Sequence, residues 1–206
     1  MKNSILLSTR SNKVLSQKVA EKLDIKLCNV NIIDFADAEI SVEVLENIRR
    51  QEVFIIAGTS TQSNKNVDIM ELMLLVDAVK RSSPERITVL FPYLPYARQD
   101  RRIQRSPISS SVFAQMLSYS GIDSVIATDL HTLQIQGFFS NNVVCEHIST
   151  LNTLKNHIED NNYDCIVAGD IGGTGRARYF ANLLDLPIAI IDKRRPEPGV
   201  SKVMHI

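Results

Sequence analysis

Residues 84–102 read PERITVLFPYLPYARQDRR. Within them Ile87–Phe91 is apolar or β-branched on successive positions rather than alternate ones. That pattern belongs to a strand covered on both faces. Runs of the same kind recur at Ile5–Ser8, Val53–Ala57, Ser124–Thr128, Cys165–Ala168 and Pro187–Ile191. The stretches between them read as helices. Ile69, Leu72, Met73, Val76 and Val79 form one apolar stripe, and Ala177, Phe180, Ala181 and Leu184 form another. Ser106-Pro107 predicts an N-cap followed by a first helical residue, Gly121 predicts the stop, and Ile108, Val112 and Met116 share a face between them. Strand–helix alternation predicts an α/β fold of mainly parallel sheets with helices on both faces.

Composition narrows the class. Of 206 residues, 44% are apolar, enough for a sizeable core. The charged fraction of 22% excludes a disordered polyelectrolyte. Lys plus Arg number 23, as do Asp plus Glu, so the net charge is zero and a general nucleic-acid coat is not expected. The three cysteines, Cys28, Cys145 and Cys165, show no CxxC spacing, which points to reduced thiols rather than a disulfide framework or zinc site. No apolar run approaches the ~18 residues of a membrane span, and Met1–Arg10 has no signal-peptide core. These features predict a soluble, cytoplasmic protein without nucleic-acid or membrane partners. A boundary falls near Cys145–Asn152, giving domains at 1–147 and 148–206. The second holds about 60 residues, thin for an independent α/β domain, and reads as unfinished.

In open α/β sheets ligands bind beyond the carboxyl ends of the strands. Four of the predicted strands are followed there by chemistry-bearing residues: Arg98-Gln99-Asp100-Arg101-Arg102, then Asp129-Leu130-His131, then Asp170-Ile171-Gly172-Gly173-Thr174-Gly175-Arg176, then Asp192-Lys193-Arg194-Arg195-Pro196. In a chain of zero net charge this concentrates cations along one edge. A nucleotide polyphosphate with its metal is the simplest ligand of that kind.

Each stretch has a plain reading beside the functional one. Gly172-Gly173-Thr174-Gly175 is either a phosphate cradle at a helix N-terminus or an ordinary tight turn. Asp170 is either a Mg²⁺ ligand or an N-cap. His131 is either a metal or phosphate ligand or a polar surface residue. Arg98–Arg102 either grips phosphate, with Gln99 reading a base edge, or is a solvated charged loop. Lys193-Arg194-Arg195, with Pro196, Pro198 and Gly199 after it, reads as a mobile basic loop. Such a loop is either a lid over a transferring phosphoryl group or a surface loop. Phe35-Ala36-Asp37-Ala38-Glu39 before Ile40, Val42 and Val44 suggests a hairpin projecting acidic residues, or an acidic edge that discourages strand pairing.

Together the motifs resemble those of the ribose-phosphate pyrophosphokinase family. The most specific are PYLPYARQDRR at Pro92–Arg102, DLHTLQIQGFF at Asp129–Phe139 and IDKRRP at Ile191–Pro196, followed by Val203-Met204-His205-Ile206. Met70-Glu71-Leu72, Arg105–Ser109 and Gly169–Arg176 support them. The resemblance implies two tandem type I phosphoribosyltransferase-like domains, the second incomplete here. It implies transfer of the diphosphoryl group of ATP to the anomeric hydroxyl of ribose 5-phosphate, with Mg²⁺ as cofactor, inorganic phosphate as activator and a homo-oligomer such as a hexamer. By position, Phe35, Asp37 and Glu39 would serve a neighbouring subunit's adenine and ribose. Arg98, Gln99 and Asp100 would contact ATP. His131 and Asp170 would sit at the Mg²⁺–ATP site. Asp170, Gly172, Gly173 and Thr174 would form the pyrophosphate loop, and Lys193 and Arg195 would be catalytic.

There are departures from the family pattern. The family usually has Gly at the position of Ala38 and commonly at that of Arg50; losing Gly restricts the backbone there. The ribose-5-phosphate loop is expected beyond residue 206. A chain ending at Ile206 is therefore expected to have negligible synthase activity and to bind nucleotide or co-assemble with full-length subunits instead.

Overall fold

The computed structural model describes residues 3–59, 63–158, 163–197 and 200–205. It divides into two compact units, Met1–Ile148 and Ser149–Ile206. In the first, β1 (Ser4–Ser8) leads through α1 (Lys13–Leu23) to the short β2 (Lys26–Leu27). An antiparallel hairpin of β3 (Val30–Asp34) and β4 (Ile40–Val44) follows. The chain then runs through β5 (Glu52–Ile56), α2 (Lys65–Arg81), β6 (Arg86–Phe91), α3 (Ser109–Ser120), β7 (Ser124–Thr128) and β8 (Val144–Ile148). Six strands form one parallel sheet in the order β2-β1-β5-β6-β7-β8.

Burial on both faces explains the unbroken apolar runs. Ile5, Leu7, Val53 and Ile55 point into the main core with Leu72, Val76 and Val79 of α2 and Phe113 and Leu117 of α3. Leu6 and Ile56, the intervening residues, pack with Ala20 of α1 on the opposite face. Thr88, the one polar residue in its run, lies directly across from Ser124, and their hydroxyls share a 2.8 Å hydrogen bond. Phe91 meets Phe113 edge-on at 5.9 Å, fixing the end of β6 against α3.

Two expectations for α3 are corrected. The helix starts at Ser109, not Pro107, and Ser106 Oγ accepts from the Ile103 amide rather than capping the helix. The start is set by Gln99, whose carbonyl accepts from the Ser110 amide and hydroxyl. The buried face is Ser110, Phe113, Ala114 and Leu117; Val112 and Met116 are exposed and line a groove of about 390 Å³ with Met70 of α2. Gly121 ends the helix at φ 94°, as expected.

The second unit contains α4 (Leu151–Ile158), β9 (Ile166–Ala168), α5 (Thr174–Leu184) and β10 (Ile188–Ile190), with β9 and β10 parallel. Phe180 and Ala181 are the buried residues of α5. β11 (Asp192–Glu197) and β12 (Val200–His205) then form an antiparallel ribbon. The segment read as a basic loop is thus strand. Lys193 pairs with Val203 and Arg194 with Lys202, with irregular register around them. Pro196 fits because a two-stranded ribbon leaves outward backbone positions that need no ladder donor. Pro198, Gly199 and Ile206 lie outside the described residues. Among the described residues no helix is long and apolar enough to cross a membrane.

The glycine substitutions have a clear backbone consequence. Ala38 sits at φ 69° and Arg50 at φ 57°, both in the left-handed region. A side chain there costs about 1–2 kcal/mol. Arg50→Gly and Ala38→Gly should each raise the unfolding free energy measured in urea by about 0.5–1 kcal/mol once the added freedom of the unfolded chain is subtracted. The thiols also differ. Burial pushes Cys28 and Cys145 up to about 11, whereas Cys165 is exposed. A thiol reagent at pH 8 should modify Cys165 rapidly and the other two only on unfolding, as counted by intact mass.

Candidate functional site

The loop after β6 carries the densest chemistry, and its burial pattern says how it is held. Leu94, Ala97 and Asp100 are buried, while Arg98, Gln99, Arg101 and Arg102 are exposed. The inward residues anchor the loop and the outward ones are presented beyond the strand. Tyr96 takes φ 60°, donates its hydroxyl to Asn66 Oδ1 at 2.6 Å, and accepts at its carbonyl from the Gln99 amide. Gln99 Oε1 accepts from Ser109 Oγ at 2.6 Å. Among the described residues Arg98 has no acidic partner, so its guanidinium stands uncompensated. A cleft of about 300 Å³ gathers Arg98 and Gln99 with Lys65, Asn66, Tyr93, Pro95 and Tyr96. Lys65 and Tyr93 were not found by sequence reasoning; only the position of Lys65 at the start of α2 hinted at it.

Asp100, expected by position to contact ATP, points its carboxylate into the fold. It is 7% exposed. Its Oδ2 accepts from Thr132 Oγ1 at 2.7 Å and Gln134 Nε2 at 3.3 Å. These bonds tie the β6 loop to the β7 loop, which Thr128 Oγ1 also joins by donating to the Pro92 carbonyl. His131 is exposed between buried Leu130 and the Asp100-bound Thr132. Asp129 just before it takes φ 45°. Non-glycine residues in this region concentrate at functional loops; the loop after β6 holds two, Tyr96 and Gln104, and Asp129 directly follows β7.

Hairpin β3–β4 stands apart from the sheet and rests on the main core through Val30, Val42 and Val44. Its turn is closed by Phe35 N to the Glu39 carbonyl, Ala38 N to the Phe35 carbonyl, and Glu39 N to Asp37 Oδ1. Phe35 is 53% exposed at the tip. Asp34, just before it, is held below the usual carboxylate range by its hydrogen bonds from Arg10. A larger polar cleft of about 630 Å³, between α1 and the β2–β3 segment, contains none of the residues expected from sequence to bind ligand.

In the second unit Asp170 caps the turn Ile171–Gly173 that leads into α5, its Oδ1 accepting from the Gly173 amide at 2.8 Å. A Cβ on Gly172 would come within 3.3 Å of that oxygen, so the missing side chain lets the carboxylate sit close. Thr174 is the first residue of α5. Asp170 therefore does act as a cap, and among the described residues its Oδ2 makes no hydrogen bond. Lys193 and Arg195 lie on β11. Among the described residues no three His, Cys, Asp or Glu side chains cluster as a metal cage. The Asp170 carboxylate of the second unit and the exposed His131 imidazole of the first are each, taken singly, a donor of a kind that Mg²⁺ carried by a nucleotide accepts, since Mg²⁺ keeps waters and phosphate oxygens and asks for few protein ligands.

Comparison with known proteins agrees with this layout. Residues 4–121 match the model for the N-terminal domain of ribose phosphate pyrophosphokinase. The chain is 41% identical to a ribose-phosphate pyrophosphokinase of Fusobacterium nucleatum, over 99% of this chain and 65% of that one. It is 44% identical to the enzyme of that name from Neisseria meningitidis, over 99% and 63%. The crystal structure of phosphoribosylpyrophosphate synthetase from Mycobacterium smegmatis superposes with a TM-score of 0.86 at 33% identity, covering 98% of this chain and 67% of that one. The chain belongs to the ribose phosphate pyrophosphokinase family. It spans 63–65% of the length of the two curated relatives.

Asp100→Ala should strand two donors and lower stability by about 1–3 kcal/mol in urea unfolding, with Asp100→Asn losing less. A ligand-contacting surface aspartate would instead leave the midpoint unchanged.

Proposed function

We propose that the protein transfers the diphosphoryl group of ATP to the anomeric hydroxyl of ribose 5-phosphate, giving 5-phosphoribosyl 1-pyrophosphate and AMP. The observation that carries this is Arg98, without an acidic partner among the described residues and exposed beside Gln99 at the carboxyl edge of a doubly covered sheet, in a chain of this family. In the reaction the sugar's anomeric oxygen attacks the β-phosphorus of ATP. The bond from that phosphorus to the oxygen bridging to the α-phosphorus breaks. AMP leaves with that electron pair, and the hydroxyl proton passes to solvent.

Such a transfer depends mainly on positioning and on cations that meet developing charge. Arg98 binds polyphosphate and Gln99 the base or sugar. Phe35, Asp37 and Glu39 receive adenine and ribose of the ATP held by a neighbouring subunit, which requires a homo-oligomer. Gly172, Gly173 and Thr174 line the loop that receives diphosphate at the start of α5, beside the Gly173 amide that serves Asp170. His131 and Asp170 are each candidate ligands of Mg²⁺, which would neutralise phosphate charge when bound with the nucleotide. Lys193 and Arg195 stabilise charge on the transferred group, and inorganic phosphate acts as activator. Asp100 supports the two loops rather than touching ATP.

AMP release from Mg²⁺–ATP, measured with and without ribose 5-phosphate, tests the reading. Sugar-dependent AMP is expected; AMP formation indifferent to sugar would refute it. Lys193→Ala and Arg195→Ala should lower kcat by about 100-fold or more with little change in KM for ATP. An equal loss of ATP affinity would make them a static clamp. His131→Ala should raise KM for Mg²⁺–ATP.

A further inference from the structure

We propose that Arg10 is a positioning residue for nucleotide binding: its guanidinium locks hairpin β3–β4 to α2 and so fixes the Phe35–Glu39 turn. This rests on the reading that the turn receives a nucleotide base. Arg10 follows β1 and meets two carboxylates at once. Its backbone amide and Nε donate to Glu71 Oε1 and Oε2 at 2.7 and 2.6 Å. Its two terminal nitrogens donate to the Asp34 carboxylate at 2.6 and 2.8 Å.

The order of dependence follows from burial. Glu71, midway along α2, is 1% exposed. A buried carboxylate deprived of its cation is strongly unfavourable, and among the described residues Arg10 is the cation that Glu71 meets. Arg10 is therefore held by the core, and its outer fork has one orientation. Asp34 binds that fixed fork in the two-pronged geometry that Arg offers and Lys does not. Asp34 is the last residue of β3 and directly precedes Phe35. Beyond it, the hydrogen bonds of residues 35–39 among the described residues all run within the turn. The Arg10–Asp34 pair is thus the last polar anchor between the core and the tip. Apolar packing of Val30, Val42 and Val44 fixes the body of the hairpin without fixing that tip.

Asp34 is the position to test, because its side chain is 56% exposed and its replacement leaves the Arg10–Glu71 pair intact. Asp34→Asn in the full chain should raise KM for ATP about fivefold, the upper range for an exposed ion pair. The kcat and the KM for ribose 5-phosphate should stay within about twofold. Asp34→Glu should recover most of the loss. Amide exchange at residues 35–39 should quicken in the Asn variant and that at residues 65–81 should not. Unchanged ATP affinity and exchange in Asp34→Asn would overturn the proposal. So would an equal fall in every kinetic constant together with lower stability, which marks a merely structural pair. Where turnover is absent, calorimetric binding of Mg²⁺–ATP replaces KM. Wild-type protein that binds no ATP refutes the functional reading itself. Wild-type protein that binds ATP as Asp34→Asn does refutes only the clamp.

Discussion

The parallel sheet of the first unit is covered on both faces, and much else in that unit follows from this. With Ile5 and Leu7 facing one set of helices and Leu6 facing α1, no face of β1 is left for a ligand. Polar function is driven to the strand ends. The carboxyl ends are open because each crossover leaves there as a loop. Arg98, Gln99 and His131 therefore need no special device to reach solvent; they need anchors that stop them from drifting. Leu94, Ala97 and Leu130 supply these by burial, and Asp100 by two hydrogen bonds.

The anchoring follows one pattern in two places. A buried carboxylate, Asp100 or Glu71, holds polar groups from a distant part of the chain, and exposed residues of the candidate site sit a residue or two away. Gln99 and His131 flank the first arrangement, and Phe35 follows the second. Charge inside the fold thus serves placement, while the arginines of the β6 loop keep their charge exposed at the carboxyl edge. The left-handed residues Tyr96 and Asp129 fit the same division, since well-packed surroundings tolerate strained backbone at the rim.

Much of this was legible from residue order. The six apolar runs are strands to within a residue or two at their ends, because burial on both faces leaves a mark independent of partners. The hairpin was legible in the alternation of Ile40, Val42 and Val44. β8 was missed because it alternates exposed and half-buried residues at a sheet edge, close to the boundary drawn there. The start of α3 was misplaced because Ser106-Pro107 is a sound local signal that Gln99 overrides from outside the helix. Spacing groups Val112 and Met116 on one face without telling which face is buried, and Phe113 and Leu117 occupy the core. The inward turn of Asp100 and the Arg10–Glu71–Asp34 link join residues 24 to 61 positions apart. No local pattern reports such contacts. The strand at Lys193–Arg195 was hidden by its charge, which marks loops more often than ribbons.

The order of strands in the sheet also bears on how the chain is made. From β1 onward, β5, β6, β7 and β8 are laid down side by side in the order of synthesis, each on the edge left by the one before. No strand must be inserted between two already paired. The hairpin lies within the connection that closes β1 onto β5, and its own pairing is local, so it forms without waiting for that closure. A chain emerging from the ribosome can therefore add to its sheet as each helix-linked strand appears. The growing edge stays exposed until β8, whose half-polar sequence ends the succession.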